Sequence, residues 1–282
     1  NVAPRQPVHD QAAGRGAEIN TCIACNQACL DYIFSNRPVS CLVNPRAGRE
    51  LELPRVQATA PGKVAVVGAG PAGLACAIAA ARRGHAVTLF EAGPTIGGQL
   101  NVAKAIPDKR EFHELLRYFT VQLERNGVTL RRDTRADADL LAAGGFDHIA
   151  IATGIQPRRP DIPGIDHPKV AGYLDILSGR RQAGDSVAII GTGGIGYDVA
   201  EFLLADGPQD REAFYREWGV DTALAGVGGL GVPAPVHPRR RITLFQRSSR
   251  RPGATLGTTT GWLLRGRLAR LGVGAVTGCQ YL

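Results

Sequence analysis

The chain has 282 residues, 44% of them hydrophobic and 21% charged, with 36 Gly and 18 Pro; this is globular composition, long enough for two ordinary domains, and it excludes a collagen-like or disordered chain. The 33 basic and 25 acidic residues leave a formal charge of +8, but aromatic residues are only 6% and no basic stripe interleaves with them, so the balance does not point to nucleic acid. No apolar run approaches the roughly 18 residues of a membrane span, and no signal-peptide pattern follows Asn1.

Met is absent, and Asn1 is too large to follow a removed initiator, so the chain is expected to be a piece of a longer one. Residues 1–20 are polar and rich in Ala and Gly. Four of the 6 Cys then fall in one window, as Cys22-x2-Cys25-x3-Cys29-x11-Cys41. Cys76 and Cys279 stand alone in apolar contexts and are expected to be buried thiols. One tight cluster points to metal chemistry in a reducing, cytoplasmic compartment, not to a disulfide framework. Zinc sites usually pair two separated C-x2-C motifs. Three close cysteines and one distant better suit a [4Fe-4S] cubane, although the spacing departs from the ferredoxin run. Zinc stays the alternative on spacing alone.

Segment 51–62, with Pro54, Pro61 and Gly62, reads as a linker. Val64–Val67 is a strand, Gly68–Gly73 a glycine turn, and a helix follows to about Arg83. Ala86–Phe90 is a second strand, ending at Glu91. From Lys109 to Asn126 the spacing of Phe112, Leu115, Leu116, Phe119 and Leu123 predicts a helix, stopped by Gly127. Val128–Arg131 and Ile149–Thr153 are further strands. The pattern then restarts. Val187–Ile190 is a strand, Gly191–Gly196 a second glycine turn, and a helix runs to about Leu204. The next strand, Ile242–Phe245, follows a long Gly- and Pro-rich insert at about 205–241. Val273, Ala275, Val276 and Tyr281 read as a terminal strand. Strands alternating with helices predict an α/β fold with parallel sheets, and two such openings predict two Rossmann-like nucleotide-binding units.

Each G-x-G-x-x-G follows an apolar strand and opens a helix, which is the context the motif needs. The first Gly allows the tight turn, the second lets a pyrophosphate approach the backbone, and the third lets helix and strand pack closely. The free amides at the helix start then hold phosphate. Glu91 lies 23 positions beyond Gly68 and suits ribose hydroxyls, so the first unit, with Gly68, Gly70, Pro71, Ala72 and Gly73, is expected to take FAD or NAD. The corresponding strand of the second unit ends in Gln246-Arg247-Ser248-Ser249-Arg250-Arg251. Guanidinium and hydroxyl groups suit a 2′-phosphate, so Gly191, Gly193, Gly194, Ile195 and Gly196 with Arg247 are expected to take NADP(H). The alternative is a solvated basic loop. None of the 6 His shows ligand or dyad spacing.

Ile19–Asp31 with its C-N-Q-A-C-L-D run, Ser40–Arg46, the GAGPAG turn, Ile96–Gln99, Ile151–Gly154, Gly164–Val170, the GTGGIG turn, Glu217–Asp221 and Thr259–Trp262 together carry a resemblance over the whole chain. It resembles the flavin oxidoreductases related to old yellow enzyme and trimethylamine dehydrogenase, on the branch of the bacterial NADPH-dependent 2,4-dienoyl-CoA reductases. Gly48-Arg49 departs from the Cys-His often found there. The resemblance implies disulfide-reductase-type FAD- and NAD(P)-binding units behind an iron–sulfur loop. It implies electron flow from NADPH to FAD, to [4Fe-4S], and to FMN in an N-terminal TIM barrel that reduces the unsaturated acyl-CoA of fatty-acid β-oxidation.

On that resemblance Cys22, Cys25, Cys29 and Cys41 hold the cluster. Gly98 and Gln99 lie by the FAD, and Thr153 and Gly154 mark the crossing between units. The implied organisation is a barrel remnant at 1–20, a cluster segment at 21–50, the linker at 51–62, the first part of an FAD domain at 63–155 and an incomplete NAD(P)H domain at 156–282. No catalytic residue is expected here, since the implied proton donors belong to the missing barrel, and the piece alone is not expected to reduce the acyl-CoA. The competing readings are an enoate reductase or amine dehydrogenase with the same cofactors, a stand-alone electron-transfer module, and, more distantly, a zinc-bearing nucleic-acid binder.

Overall fold

The computed structural model describes residues 13–205, 207 and 210–282. The expected barrel remnant therefore lies largely outside the described residues; of it, Gly16–Glu18 forms a 3-10 turn. The chain divides into two compact units, the first running to Lys104 and then over Lys109–Arg159, the second made of Ala105–Asp108 and Pro160–Leu282.

The first unit holds a parallel sheet in the order β3-β2-β1-β4. Its strands are β1 (Lys63–Val67), β2 (Ala86–Phe90), β3 (Thr129–Arg131) and β4 (His148–Ile151). In register, Val66 pairs with Leu89 on one side and Ala150 on the other. Val64 to Val67 are all buried, as an unbroken apolar run must be when a parallel strand is covered on both faces. Helix Pro71–Arg82 turns Leu74, Ala77 and Ile78 into the core, and helix Glu111–Arg125 adds Leu115, Phe119 and Leu123, both at helical spacing. Leu74 and Leu89 are fully buried; each contributes on the order of 1.5–3 kcal/mol by leaving water. The second helix starts later than its periodicity suggests because Pro107–Lys109 forms a separate 3-10 turn.

The second unit holds a parallel sheet in the order β5-β6-β7, from β5 (Ser186–Ile190), β6 (Arg241–Phe245) and β7 (Gly274–Val276). Helices Gly194–Leu204 and Gly261–Arg270 supply Val199, Ala200, Leu203 and Leu268 to a core that also contains Ile242 and Leu244. The insert carries helix Arg211–Trp218. Asp210 caps its start by accepting from the Ala213 N–H at 2.6 Å. Gly219 ends it with φ 67°, and an antiparallel bridge joins Val220 to Leu230.

Two expectations need correction. The terminal strand is short: β7 ends at Val276, the chain turns at Gly278 (φ 69°), and Tyr281 meets β6 through its hydroxyl, which donates to the Phe245 carbonyl at 3.5 Å. Cys76 and Cys279 are half-buried and not buried, Cys76 because it sits at the flank of its helix beside the exposed Ala75 and Ala79, and Cys279 because it follows that turn. No helix among the described residues is long and apolar enough to cross a membrane.

Candidate functional site

Both glycine turns form at the carboxyl end of the first strand of their sheet, where ligands of open α/β sheets bind. In the first unit the sheet order reverses between β1 and β4, so the Gly68–Gly73 turn stands at the switch point where sheets of this class bind ligands. Gly68 has φ +103° and Gly191 has φ +121°, conformations that favour glycine. A Cβ on Gly73 would stand 1.8 Å from the Gly68 carbonyl oxygen, and one on Gly196 would stand 2.1 Å from that of Gly191. The third glycine of each turn therefore seats the helix on the strand. Space over the middle glycines, Gly70 and Gly193, is open to 4 Å. Gly70 and Gly193 are also the N-caps of their helices, with no side-chain cap, so the amides of the first turn stay available to an anion.

Around the first turn, Gly97 N–H donates to the Ala69 carbonyl at 2.7 Å, and Gly98 packs on Gly70. Pro71 and Ala72 begin the helix, exposed. Gln99 donates from Nε2 to the Ile155 carbonyl at 3.3 Å, which ties its loop to the segment just past exposed Thr153 and Gly154. Glu91, at the end of β2, accepts from Ala69 N–H through Oε2 and from Gly93 N–H through Oε1, each at 2.8 Å. The carboxylate is thus held rigidly beside the glycine turn, and its remaining lone pairs are free for hydroxyl donors. The eight residues expected at the first nucleotide lie in the first unit, as do Thr153 and Gly154, expected at the crossing.

In the second unit Gly194 and Ile195 are exposed at the helix start, and Arg247 is exposed just beyond β6. Sequence reasoning assigned nothing to Thr192 or to Gln246. Thr192 is buried inside the turn, and its hydroxyl donates to the Gln246 amide oxygen. The overlooked signal was that Gln246 follows β6 as Glu91 follows β2. Also missed was a buried ionic group in this unit. Arg267 meets Glu201 at 2.7 Å, Glu217 at 3.1 Å and Asp108 at 3.1 Å.

The cysteine segment packs on the first unit through Ile23 and Val43, and Asn20 Nδ2 donates to the Val43 carbonyl at 2.7 Å. Cys22 is exposed; Cys25, Cys29 and Cys41 are half-buried. Ala24 and Asn26 adopt φ of 53° and 56°, which curls the loop, and Ala24 N–H donates to the Cys22 sulfur at 3.3 Å. Burial pushes the Cys25 thiol up; a hydrogen bond from the Gln27 backbone opposes this, and the charges of Cys29, Cys41 and Cys22 add to it. Among the described residues, no group of three or more His, Cys, Asp or Glu is placed to hold a single metal ion. A zinc tetrahedron, with each sulfur about 2.3 Å from the ion, is not preformed. The donor set is all thiol, which suits iron and sulfide, and the buried Oγ1 of adjacent Thr21 has no hydrogen-bond partner.

The chain is 42% identical over 204 residues to a metal reductase of Desulforamulus reducens, covering 71% of this chain and 30% of that protein. It is 35% identical over 193 residues to a cinnamate reductase of Clostridium sporogenes, covering 68% of this chain and 29% of the relative. Among solved structures, a 2-naphthoyl-CoA reductase complex superposes with a TM-score of 0.82 at 31% identity, covering 99% of this chain and 37% of that one. The chain thus spans about a third of the length of these relatives. The family model for pyridine nucleotide-disulphide oxidoreductases matches residues 62–281. With two glycine turns on parallel sheets and this match over both, the chain belongs to the pyridine nucleotide-disulphide oxidoreductase family, as an FAD- and NAD(P)-type oxidoreductase domain.

Proposed function

We propose that the chain is the electron-input portion of an NADPH-dependent reductase of carbon–carbon double bonds, of the 2,4-dienoyl-CoA reductase kind. The observation that carries this is the likeness to 2-naphthoyl-CoA reductase over 99% of the chain, a span that takes in the cysteine segment and both units. FAD, when bound, exchanges hydride with a nicotinamide and releases electrons singly; a [4Fe-4S] cluster, when bound, carries them one at a time.

The chain's own residues bind and orient. Gly68, Gly70 and Gly73 present backbone amides to the FAD pyrophosphate, and Glu91 accepts from the adenosine ribose. Gly191, Gly193 and Gly196 do the same for NADPH, whose 2′-phosphate Arg247 meets. Cys22, Cys25, Cys29 and Cys41 would hold the cluster, beside the buried Thr21 hydroxyl. Unsaturated acyl-CoA reduction itself belongs to an FMN-bearing barrel.

An enoate reductase is the second reading, supported by 35% identity to the cinnamate reductase. The test is NADPH-driven reduction by the complete protein. Turnover of a 2,4-dienoyl-CoA is the expected result. Turnover of free cinnamate alone would favour the second reading, and neither, with oxidation of an amine, would overturn both.

A further inference from the structure

The Gln246 side chain reaches both the glycine turn and the basic loop of the second unit. Its amide oxygen accepts from the Thr192 hydroxyl. Its Nε2 donates to the Ser248 carbonyl at 2.9 Å and to the Arg250 carbonyl. The far end of the loop returns to the same threonine, because Gly253 N–H donates to the Thr192 carbonyl at 3.1 Å. Gln246 is itself fixed by its backbone: its N–H donates to Val276 at 3.0 Å, and its carbonyl accepts from Cys279 at 3.0 Å. The stretch 247–252, which carries Arg247, Arg250 and Arg251, is thereby closed into a ring over the turn.

The first unit shows the opposite chemistry at the same place. Glu91 is an acceptor only, and both of its partners are backbone N–H groups, of Ala69 and Gly93. Gln246 faces one hydroxyl donor and two carbonyl acceptors. Only an amide serves both; a carboxylate here would set oxygen against oxygen at Ser248 and Arg250.

We infer that Gln246, locked by Thr192, is a positioning residue that presents the 247–251 loop to the 2′-phosphate of the dinucleotide. This rests on the proposed NADPH reading of the second unit and extends it from the charge that meets the phosphate to the device that holds that charge in place. Fixing the backbone that carries Arg247, Ser248 and Arg250 before binding lowers the ordering cost of a phosphate contact by their side chains. The cost of losing the lock should fall on the 2′-phosphate alone, since the glycine turn that takes the pyrophosphate keeps its own backbone contacts.

The test uses the purified holoprotein and two probes, adenosine 2′,5′-bisphosphate and 5′-ADP, titrated calorimetrically. In Gln246→Met the Kd for the 2′,5′-bisphosphate is expected to rise about tenfold, with that for 5′-ADP within about twofold of the parent; in Thr192→Val, which lies inside the turn, the preference for the 2′,5′-bisphosphate over 5′-ADP is expected to fall. Thr192→Ser, which keeps the hydroxyl, should restore discrimination. In an Arg247→Ala background, Gln246→Met should weaken binding of the 2′,5′-bisphosphate less than it does alone, because the two act in part on one contact. Discrimination retained in both Gln246→Met and Thr192→Val would overturn the lock while leaving the NADPH reading intact. Equal weakening of both probes would also overturn it, marking damage to the turn. A parent protein that binds both probes alike would overturn the NADPH reading itself, and the lock with it.

Discussion

Arg267 Nη1 lies 2.7 Å from Glu201 Oε1, with side-chain exposures of 12% and 3%. The same guanidinium serves Glu217 and Asp108, so one positive charge is shared among three carboxylates. Burial works against the charge of Arg267, but the three carboxylates outweigh it and hold its value above the ordinary one. Glu201 fares differently. Burial first, then the charge and hydrogen bond of Asp108, push its carboxyl up to about 8 against the lowering pull of Arg267.

Stability should therefore depend on pH through Glu201. Its folded value lies above its unfolded value of 4.5, so the folded state binds the proton more tightly. The contribution is fully present below pH 4.5 and is lost as pH rises through about 8. The slope between is at most about 1.4 kcal/mol per pH unit. Glu201→Gln should flatten the fall in melting temperature between pH 5 and pH 8, measured by calorimetry. A parallel slope in the variant would contradict the assignment.

Removing the shared cation is a different perturbation. Arg267→Ala takes the cation away from buried Glu217, while Glu201 can hold a proton instead, and should cost roughly 3 kcal/mol. Arg270 also donates to the Glu217 carbonyl at 2.5 Å, so the insert helix should loosen together with helix Gly261–Arg270. Denaturant melts and amide exchange over residues 211–218 would report both.

The glycines of the first turn should separate stability from ligand binding. Gly73→Ala forces a methyl against the Gly68 carbonyl and should destabilise the fold by at least about 1–3 kcal/mol. Gly70→Ala meets open space at φ −73° and should leave the melting temperature of the apoprotein unchanged. It should still lose FAD, because the methyl occupies the approach of the pyrophosphate. Retention of full FAD content by Gly70→Ala would argue against a nucleotide at this turn.

Charge at the second turn should set the choice of nicotinamide. Arg247→Glu puts a carboxylate where the 2′-phosphate is expected and should lower the NADPH-to-NADH ratio of kcat/KM by at least about tenfold. An unchanged ratio would remove Arg247 from the site.

The cysteine segment makes an analytical prediction. Protein isolated without oxygen should carry iron and acid-labile sulfide in equal amounts, about four of each per chain. Cys25→Ser should lose most of both while leaving FAD bound. Zinc without iron would overturn the cluster.

Strands, glycine turns and the parallel α/β class were legible in the sequence because they rest on short-range rules. A run such as Val64–Val67 is apolar because both faces of a central parallel strand are covered, and Gly68 is glycine because its own backbone angle favours it. The place of Glu91 directly after β2 was legible for a similar reason, and Arg247 could be placed only as part of the basic stretch that follows β6. Tertiary structure decided what a side chain meets far along the chain. Thr192 and Gln246 are 54 positions apart, and Glu201 and Arg267 are 66 apart. Neither pair leaves a periodic trace, because a hydrogen bond between distant residues depends on the course of the chain between them. The same holds for the cysteines: their spacing raised the expectation of a cluster, whereas the fold, among the described residues, sets no three His, Cys, Asp or Glu around a single ion.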